Sequence, residues 1–215
     1  IDIVGCEDVT LRNSFIRASD DCVCIKAASY PDPAANRNVK NILVEHCVLW
    51  NAEPGNAVEI GYEVRCDEIS DITFRDLDIV HCQYEGNQSG GVLTIHNADR
   101  AYIHNIVYED IRVEDAQEKF IDIKVLDSKY SLDRSRGRVE DIFFRNIEIL
   151  NGNFPVSIIR GFEMHTEMSR PQNIHFDNVV VLGEHINSPS DLHMVVELSN
   201  DIWFNGKVHV KRNPF

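Results

Sequence analysis

No apolar run in this 215-residue chain approaches the roughly 18 residues that a bilayer-spanning helix needs, and the N-terminus lacks the basic start and apolar middle of a secretion signal. A membrane partner is therefore not expected. Residue 1 opens directly into strand-like text, Ile1-Asp2-Ile3-Val4, as in the C-terminal part of a longer catalytic domain whose parent is secreted or periplasmic. Positive charge is also scarce: 21 Lys and Arg stand against 35 Asp and Glu, a formal net charge of −14. Nucleic acid, which recruits basic surfaces, is excluded as a partner on that ground, and a strongly anionic polymer is disfavoured. A neutral ligand fits the charge better. The six cysteines all fall in the first 82 residues without a CxxC pair, so no metal or other cofactor is expected and the thiols read as buried or free, with disulfides left open. Helical periodicity is scarcely visible.

What the chain has is a repeat. Asn41-Ile42-Leu43-Val44-Glu45-His46 returns as Asp71-Ile72-Thr73-Phe74-Arg75-Asp76, Asn105-Ile106-Val107-Tyr108-Glu109-Asp110, Asp141-Ile142-Phe143-Phe144-Arg145-Asn146 and Asn173-Ile174-His175-Phe176-Asp177-Asn178. Looser copies sit at Val9 to Asn13 and Asp201 to Asn205, and the steps between equivalent apolar residues are 33, 30, 34, 36, 32 and 28. Within each copy, apolar residues two apart point one way and their neighbours the other, which is strand alternation. A second short strand follows in each coil, including Val23/Ile25, Val58/Ile60, Leu93/Ile95 and Ile121/Ile123. The expected architecture is all-β: one domain over residues 1–215, a single-stranded right-handed parallel β-helix of about seven coils.

The residue after each equivalent apolar position runs Arg12, Glu45, Arg75, Glu109, Arg145, Asp177. Stacked in register at about 4.8 Å, these form an outward ladder of alternating sign that penalises slips bringing like charges together.

Within this pattern the text Asn13-Ser14-Phe15-Ile16-Arg17-Ala18-Ser19-Asp20-Asp21-Cys22-Val23-Cys24-Ile25-Lys26 resembles the polygalacturonase family, glycoside hydrolase family 28, which carries an N-x-x-I-x-x-x-D-D-C-V-x-I-K type signature. The likeness extends through Gly55-Asn56-Ala57-Val58-Glu59-Ile60-Gly61, where the family has G-H-G-x-S-I-G, and more faintly to Gly91 through His96, where it has an R-I-K strand. A fainter likeness, at Asp78 to Tyr84, is to the dextranase and isopullulanase family acting on neutral α-glucans. The resemblance implies a pectate-lyase-like solenoid and an inverting glycosidase in which Asp20 is the general acid and Asp21 is part of the water-activating base. An inverting glycosidase needs one protonated carboxyl for the leaving oxygen and one carboxylate for water.

Three departures bear on substrate and activity. The family's further catalytic Asp, in an N-T-D-G stretch, would fall before Ile1. Asn56 replaces a histidine, and Thr94 and His96 stand where the family has Arg and Lys. Thr94 carries no charge and an ordinary histidine is largely neutral at pH 7, so the reading shifts from polygalacturonate towards a neutral or weakly acidic polysaccharide or oligosaccharide. A fragment without activity is allowed for, and a non-catalytic glycan-binding or structural β-helix is the rival. A calcium-dependent lyase would need an Arg beside clustered acids, which no strand offers.

Cys24, Glu59, Thr94 and Asp122 are expected on one outward face, with Lys26, His96 and Lys124 a step along; Lys26, Asn56, Glu59, Thr94 and His96 are the candidate substrate-binding residues. Trp50, Tyr62 and Tyr84 are candidate sugar-stacking rings, and His81 reads as a surface histidine. Asn87-Gln88-Ser89 fits a glycosylation sequon, and the Ser29 to Arg37 and Ser128 to Gly137 segments read as loops able to wall a groove. An open first coil would favour self-association.

Overall fold

The computed structural model describes residues 1–27, 32, 36–83, 90–151, 156–164 and 167–210. Tyr84, the Asn87 sequon and most of the Ser29 to Arg37 loop lie outside these residues. The chain is a parallel β-solenoid with two long sheets. In one, seven short strands stack in the order β1 (Asp2–Val4), β4 (Val23–Lys26), β6 (Val58–Tyr62), β8 (Leu93–Asn97), β10 (Ile121–Val125), β12 (Ile158–Arg160) and β17 (Val195–Glu197). The other carries the repeat: β2 (Glu7–Arg12) and β3 (Phe15–Ala18), then β5 (Val39–Asn51), β7 (Glu68–Cys82), β9 (Tyr102–Val113), β11 (Arg138–Ile149), β15 (Gln172–Val181) and β18 (Asn200–Phe204). Antiparallel pairs, β13 (Phe162–Met164) with β14 (Glu167–Ser169), β16 (Glu184–His185) with β15 and β19 (Lys207–Val210) with β18, occur only towards the C-terminus among the described residues.

The expected seven coils become about five turns. All seven copies do form stacked strands, but the end coils contribute strands of three residues, β1, β12 and β17, and antiparallel β19 ends the stacking.

The repeat's polar flanks explain how a strand of 13 or 15 residues wraps a corner. Asp8, Asn41, Asp71, Asn105, Asp141, Asn173 and Asp201 have φ of 52–57°, and Asn13, His46, Asp76, Asp110, Asn146, Asn178 and Asn205 have φ of 47–55°. Asn and Asp tolerate this left-handed conformation better than other side chains. Each such residue turns the chain and resets the alternation, so Val39, Ile42, Val44, Cys47 and Leu49 all point inward along β5. The corner side chains also bond between coils: Asn41 Nδ2 donates to Asp8 at 2.6 Å, Asn146 to Asp110 at 3.0 Å, Asn178 to Asn146 at 2.9 Å, and Asn105 to Asp71.

Between the corners, one inward position per coil builds an aromatic stack through the core. Ring centroids lie 5.0 Å apart for Phe74 and Tyr108, 4.9 Å for Tyr108 and Phe144, 4.8 Å for Phe144 and Phe176, and 4.7 Å for Phe176 and Phe204. That spacing is the interstrand distance itself. The charge ladder has the expected register, with Arg12 opposite Glu45, Glu45 opposite Arg75, Arg75 opposite Glu109, Glu109 opposite Arg145 and Arg145 opposite Asp177. All six cysteines are free thiols and five are buried; burial pushes Cys22 up to about 11 and Cys66 up to about 12, so neither is a reactive thiolate.

Two substitutions test this construction. Asn105→Val puts a β-branched side chain at φ 55° and removes a corner bond, and is expected to lower stability by about 2–3 kcal/mol in urea unfolding. The hydroxyl of Tyr108 is buried without a hydrogen-bond partner among the described residues, so Tyr108→Phe is expected to raise stability by about 1 kcal/mol in the same assay.

Candidate active site

Asp20 and Asp21 occupy the link between β3 and β4, where the chain passes from one sheet to the other. Their backbone is clamped by the next coil. Asn51 Nδ2 donates to the Asp20 carbonyl at 2.9 Å, and Cys22 N–H donates to the carbonyl of Asn56 at 3.0 Å. Gly55 packs against this link at φ 117°; a first side-chain carbon there would lie 2.4 Å from the carbonyl carbon of Asp20 and 2.5 Å from the nitrogen of Asp21. Only glycine permits this approach.

Asn56 is the chief partner of Asp21. Its backbone N–H and its side-chain amide both donate to Asp21 Oδ1, at 2.8 and 2.7 Å, while its own Oδ1 accepts from Gly91 N–H at 2.8 Å. An amide, unlike a histidine, neither gives nor takes the proton, so here it orients the carboxyl. Asp20 is the exposed member; its Oδ1 accepts the Asp21 N–H at 2.9 Å.

Burial and, next, the charge of Glu59 push Asp21 up to about 6, with a smaller push from Asp20, against the opposing donors of Asn56. Asp21 therefore changes charge in a range useful for acid–base work.

The pair opens onto a cleft of about 1100 Å³. Asp20, Asp21, Lys26 and Asn56 line it, with Pro54 and Gly55 beside them, Gly61 to Glu63 at the end of β6, and Leu126 to Tyr130 after β10 as a wall. The Ser128 to Gly137 insertion thus supplies part of a groove. Four lining carboxyls, Asp20, Asp21, Glu63 and Asp127, face two lysines, Lys26 and Lys129. Lys26 also pairs with Asp2 at 2.9 Å.

Glu59, Thr94 and His96, expected as substrate-binding residues, are buried and are not among the residues that line the cleft. They are 1%, 0% and 0% exposed. The outward row Cys24, Glu59, Thr94, Asp122 has the expected register, but its side chains are buried: Thr94 donates to Glu59, the Cys24 thiol donates to the Gly61 carbonyl at 3.2 Å, and Asp122 meets His96 and lysines. His96 Nδ1 lies 2.9 and 3.0 Å from the two oxygens of Glu59, and the Thr94 hydroxyl donates to Glu59. His96 Nε2 faces Asp122 at 3.3 Å, and Asp122 pairs with Lys124 at 2.7 Å. Tyr62 lies over the His96 ring, centroids 4.5 Å apart.

His96 is accordingly not an ordinary neutral histidine. Burial opposes its charge, but Glu59 and Asp122 on either side outweigh burial and raise it to about 9, so it is an imidazolium at neutral pH. Sequence spacing had placed these groups in one row, but it carried no sign of their burial.

Trp50 is also occupied. Arg17 lies over its ring at 4.5 Å and His81 stacks on it at 5.1 Å, so neither face is open to a sugar. His81 in turn pairs with Asp115 at 2.8 Å. No cluster of metal-ligating residues occurs among the described residues.

The raised affinity of Asp21 for its proton has a stability consequence. The folded state holds that proton more tightly than the unfolded chain, so stability falls as pH rises from about 4 through about 6. Asp21→Asn, which keeps an acceptor for Asn56, is expected to be more stable than the wild type at pH 7.5 by about 1–3 kcal/mol, with the difference closing below pH 4; urea unfolding at the two pH values measures it.

The sequence matches the profile described as Glycosyl hydrolases family 28 over residues 1–183, which includes the acid pair, the Asn56 turn and the β8 strand. No curated protein and no solved structure matches it. The fold, the repeat and this match agree, and the chain belongs to glycosyl hydrolases family 28, whose architecture is the right-handed parallel β-helix.

Proposed function

We propose that the chain carries the reacting carboxyl pair of an inverting glycoside hydrolase acting on a neutral or weakly acidic polysaccharide. The observation that carries this reading is the clamped pair Asp20 and Asp21 on the lining of the cleft. Asp20, the exposed member, donates its proton to the glycosidic oxygen as the bond to the anomeric carbon breaks. Water attacks that carbon from the opposite face and gives its proton to Asp21. The two donors of Asn56 favour a carboxylate at Asp21 and hold it in one orientation.

Charge supports the choice of substrate. The cleft lining carries four carboxyls against two lysines, and the buried His96 already lies between Glu59 and Asp122. A polyuronate would enter against this excess of negative charge. Tyr130, 42% exposed on the cleft wall, is tilted against Tyr62 at 5.5 Å and carries Lys129 Nζ 4.9 Å over its ring, so a sugar can meet it at the exposed part of the ring beside that ammonium.

Reducing-end release from a panel of neutral glucans and galactans, with polygalacturonate alongside, tests the proposal. Turnover is expected on a neutral polymer with inverted anomeric product by NMR, and Asp20→Asn is expected to reduce it by at least about 100-fold with the melting temperature retained. With Asp21 as the base, kcat/KM rises with pH through about 6. A rate that falls through that value would reverse the two roles, and binding without turnover would make the protein a glycan-binding module.

A further inference from the structure

Six buried ionisable groups, none of them on the cleft lining, form one chain of contacts. Glu59 is held on one side by Thr94 and bidentately by His96. His96 faces Asp122, which meets Lys124 at 2.7 Å and Lys119 at 3.6 Å, and Lys119 closes the set on Glu118 at 3.0 Å. Among the described residues, three carboxyl side chains, Glu59, Asp122 and Glu118, thus alternate with His96, Lys119 and Lys124. Burying six ionisable groups is costly, and a packed apolar floor would be at least as stable. The arrangement calls for a role other than stability.

Its position indicates one. Gly61 lies on the cleft lining, and a first side-chain carbon there would fall 2.5 Å from Glu59 Oε1 and 2.4 Å from the carbonyl oxygen of His96. On the side of the acid pair, Gly91 gives its N–H to Asn56 and packs so closely on Thr94 that a first side-chain carbon there would lie 2.3 Å from the threonine methyl, which links Glu59 through Thr94, Gly91 and Asn56 to Asp21. Glu59 follows Asn56, the partner of Asp21, by three residues, and it pairs in register with Cys24, three residues after Asp21.

We propose that Glu59 is a positioning residue of the acid pair: a third carboxylate, fixed one layer beneath the cleft floor by Thr94 and His96, that sets the field in which Asp21 exchanges its proton. The proposal rests on the reading of Asp20 and Asp21 as the reacting pair.

The charged and titratable groups around this point act as follows. Asp20 adds to the field of Glu59 at Asp21, and Asn56 opposes it. Cys24 on β4 is held as a neutral thiol by burial, and the Tyr108 hydroxyl on β9 is likewise kept neutral by burial. Lys26, on the same strand as Cys24, is committed to Asp2. His96 on β8 contacts Glu59 on one side and Asp122 on the other, and Asp122 also meets Lys124 on β10. Glu59 is thereby held in one position by Thr94 and His96.

Carboxyl-carbon NMR of the whole chain reads the effect at Asp21 without requiring turnover. In the wild type Asp21 is expected to titrate near 6, and in Glu59→Gln, whose amide oxygen can still accept from Thr94 and His96, its midpoint should fall by about one pH unit, a tenfold gain in acidity. Glu59→Asp, which keeps the charge, should stay closer to the wild type than Glu59→Gln does. An unchanged midpoint in folded Glu59→Gln overturns the proposal. Should that variant not fold, nitrogen NMR of the wild type decides: His96 is expected to remain an imidazolium up to about pH 8, and a neutral His96 at pH 7 removes the charged anchor and the proposal with it. If no glycan is hydrolysed but the Asp21 midpoint shifts as stated, the proposed function fails while this inference stands. Where turnover is found, the acid limb of kcat/KM should move by the same amount in Glu59→Gln.

Discussion

Each coil of this protein turns at an Asn or Asp held in the left-handed conformation, and much else depends on those corners being level with one another. The corner side chains bond from coil to coil, as Asn41 does to Asp8 and Asn178 to Asn146, so a coil out of register would lose both its turn and its partner. Once the corners are level, the inward residues stack at the strand spacing, and the rings from Phe74 to Phe204 form one continuous column. The outward ladder of alternating charge follows from the same register. Each exposed pair in it contributes little energy, well under about 1 kcal/mol. Its contribution is to make slipped pairings unfavourable.

The site uses the solenoid's regularity and departs from it at two glycines. Gly55 lets the turn of one coil press on the backbone of the acid pair in the coil before, and Gly61 lets the backbone at the cleft lining approach Glu59 closely. Around those approaches the protein places ionisable groups where a solenoid would ordinarily bury apolar ones. At Asp21, burial and then the charge of Glu59 raise the carboxyl's affinity for its proton while Asn56 holds it. Local stability is traded for a carboxyl that changes state in a useful pH range, as sites on otherwise regular folds often do.

Much of the fold was legible in the sequence because a solenoid writes its period locally. Strand alternation, the polar flanks of each copy and the sign order Arg12, Glu45, Arg75, Glu109, Arg145, Asp177 are properties of short segments, and parallel stacking only repeats them. The coil count was overstated because the end copies keep the repeat's text while forming only short strands. The acid pair was legible through a contiguous motif, and so was the row Cys24, Glu59, Thr94, Asp122, since strand spacing dictates which residues share a face.

Which way that face looked was not legible. Glu59, Thr94 and His96 read as groove residues because alternation points them out of the core, and it does; but Tyr62 covers His96, Lys119 pairs with Asp122 across the row, and no local pattern encodes those coverings. The charge of His96 belongs to the same class, because it depends on Glu59 and Asp122 arriving from strands 37 residues before it and 26 after. The sequence by itself therefore determined the solenoid, its register and the place of Asp20 and Asp21 just ahead of the second strand, all of which follow from short-range pattern. Burial, protonation and the approach of Asn56 to Asp21 were decided only by the tertiary structure, because desolvation and Coulomb interactions depend on distance in space and not along the chain.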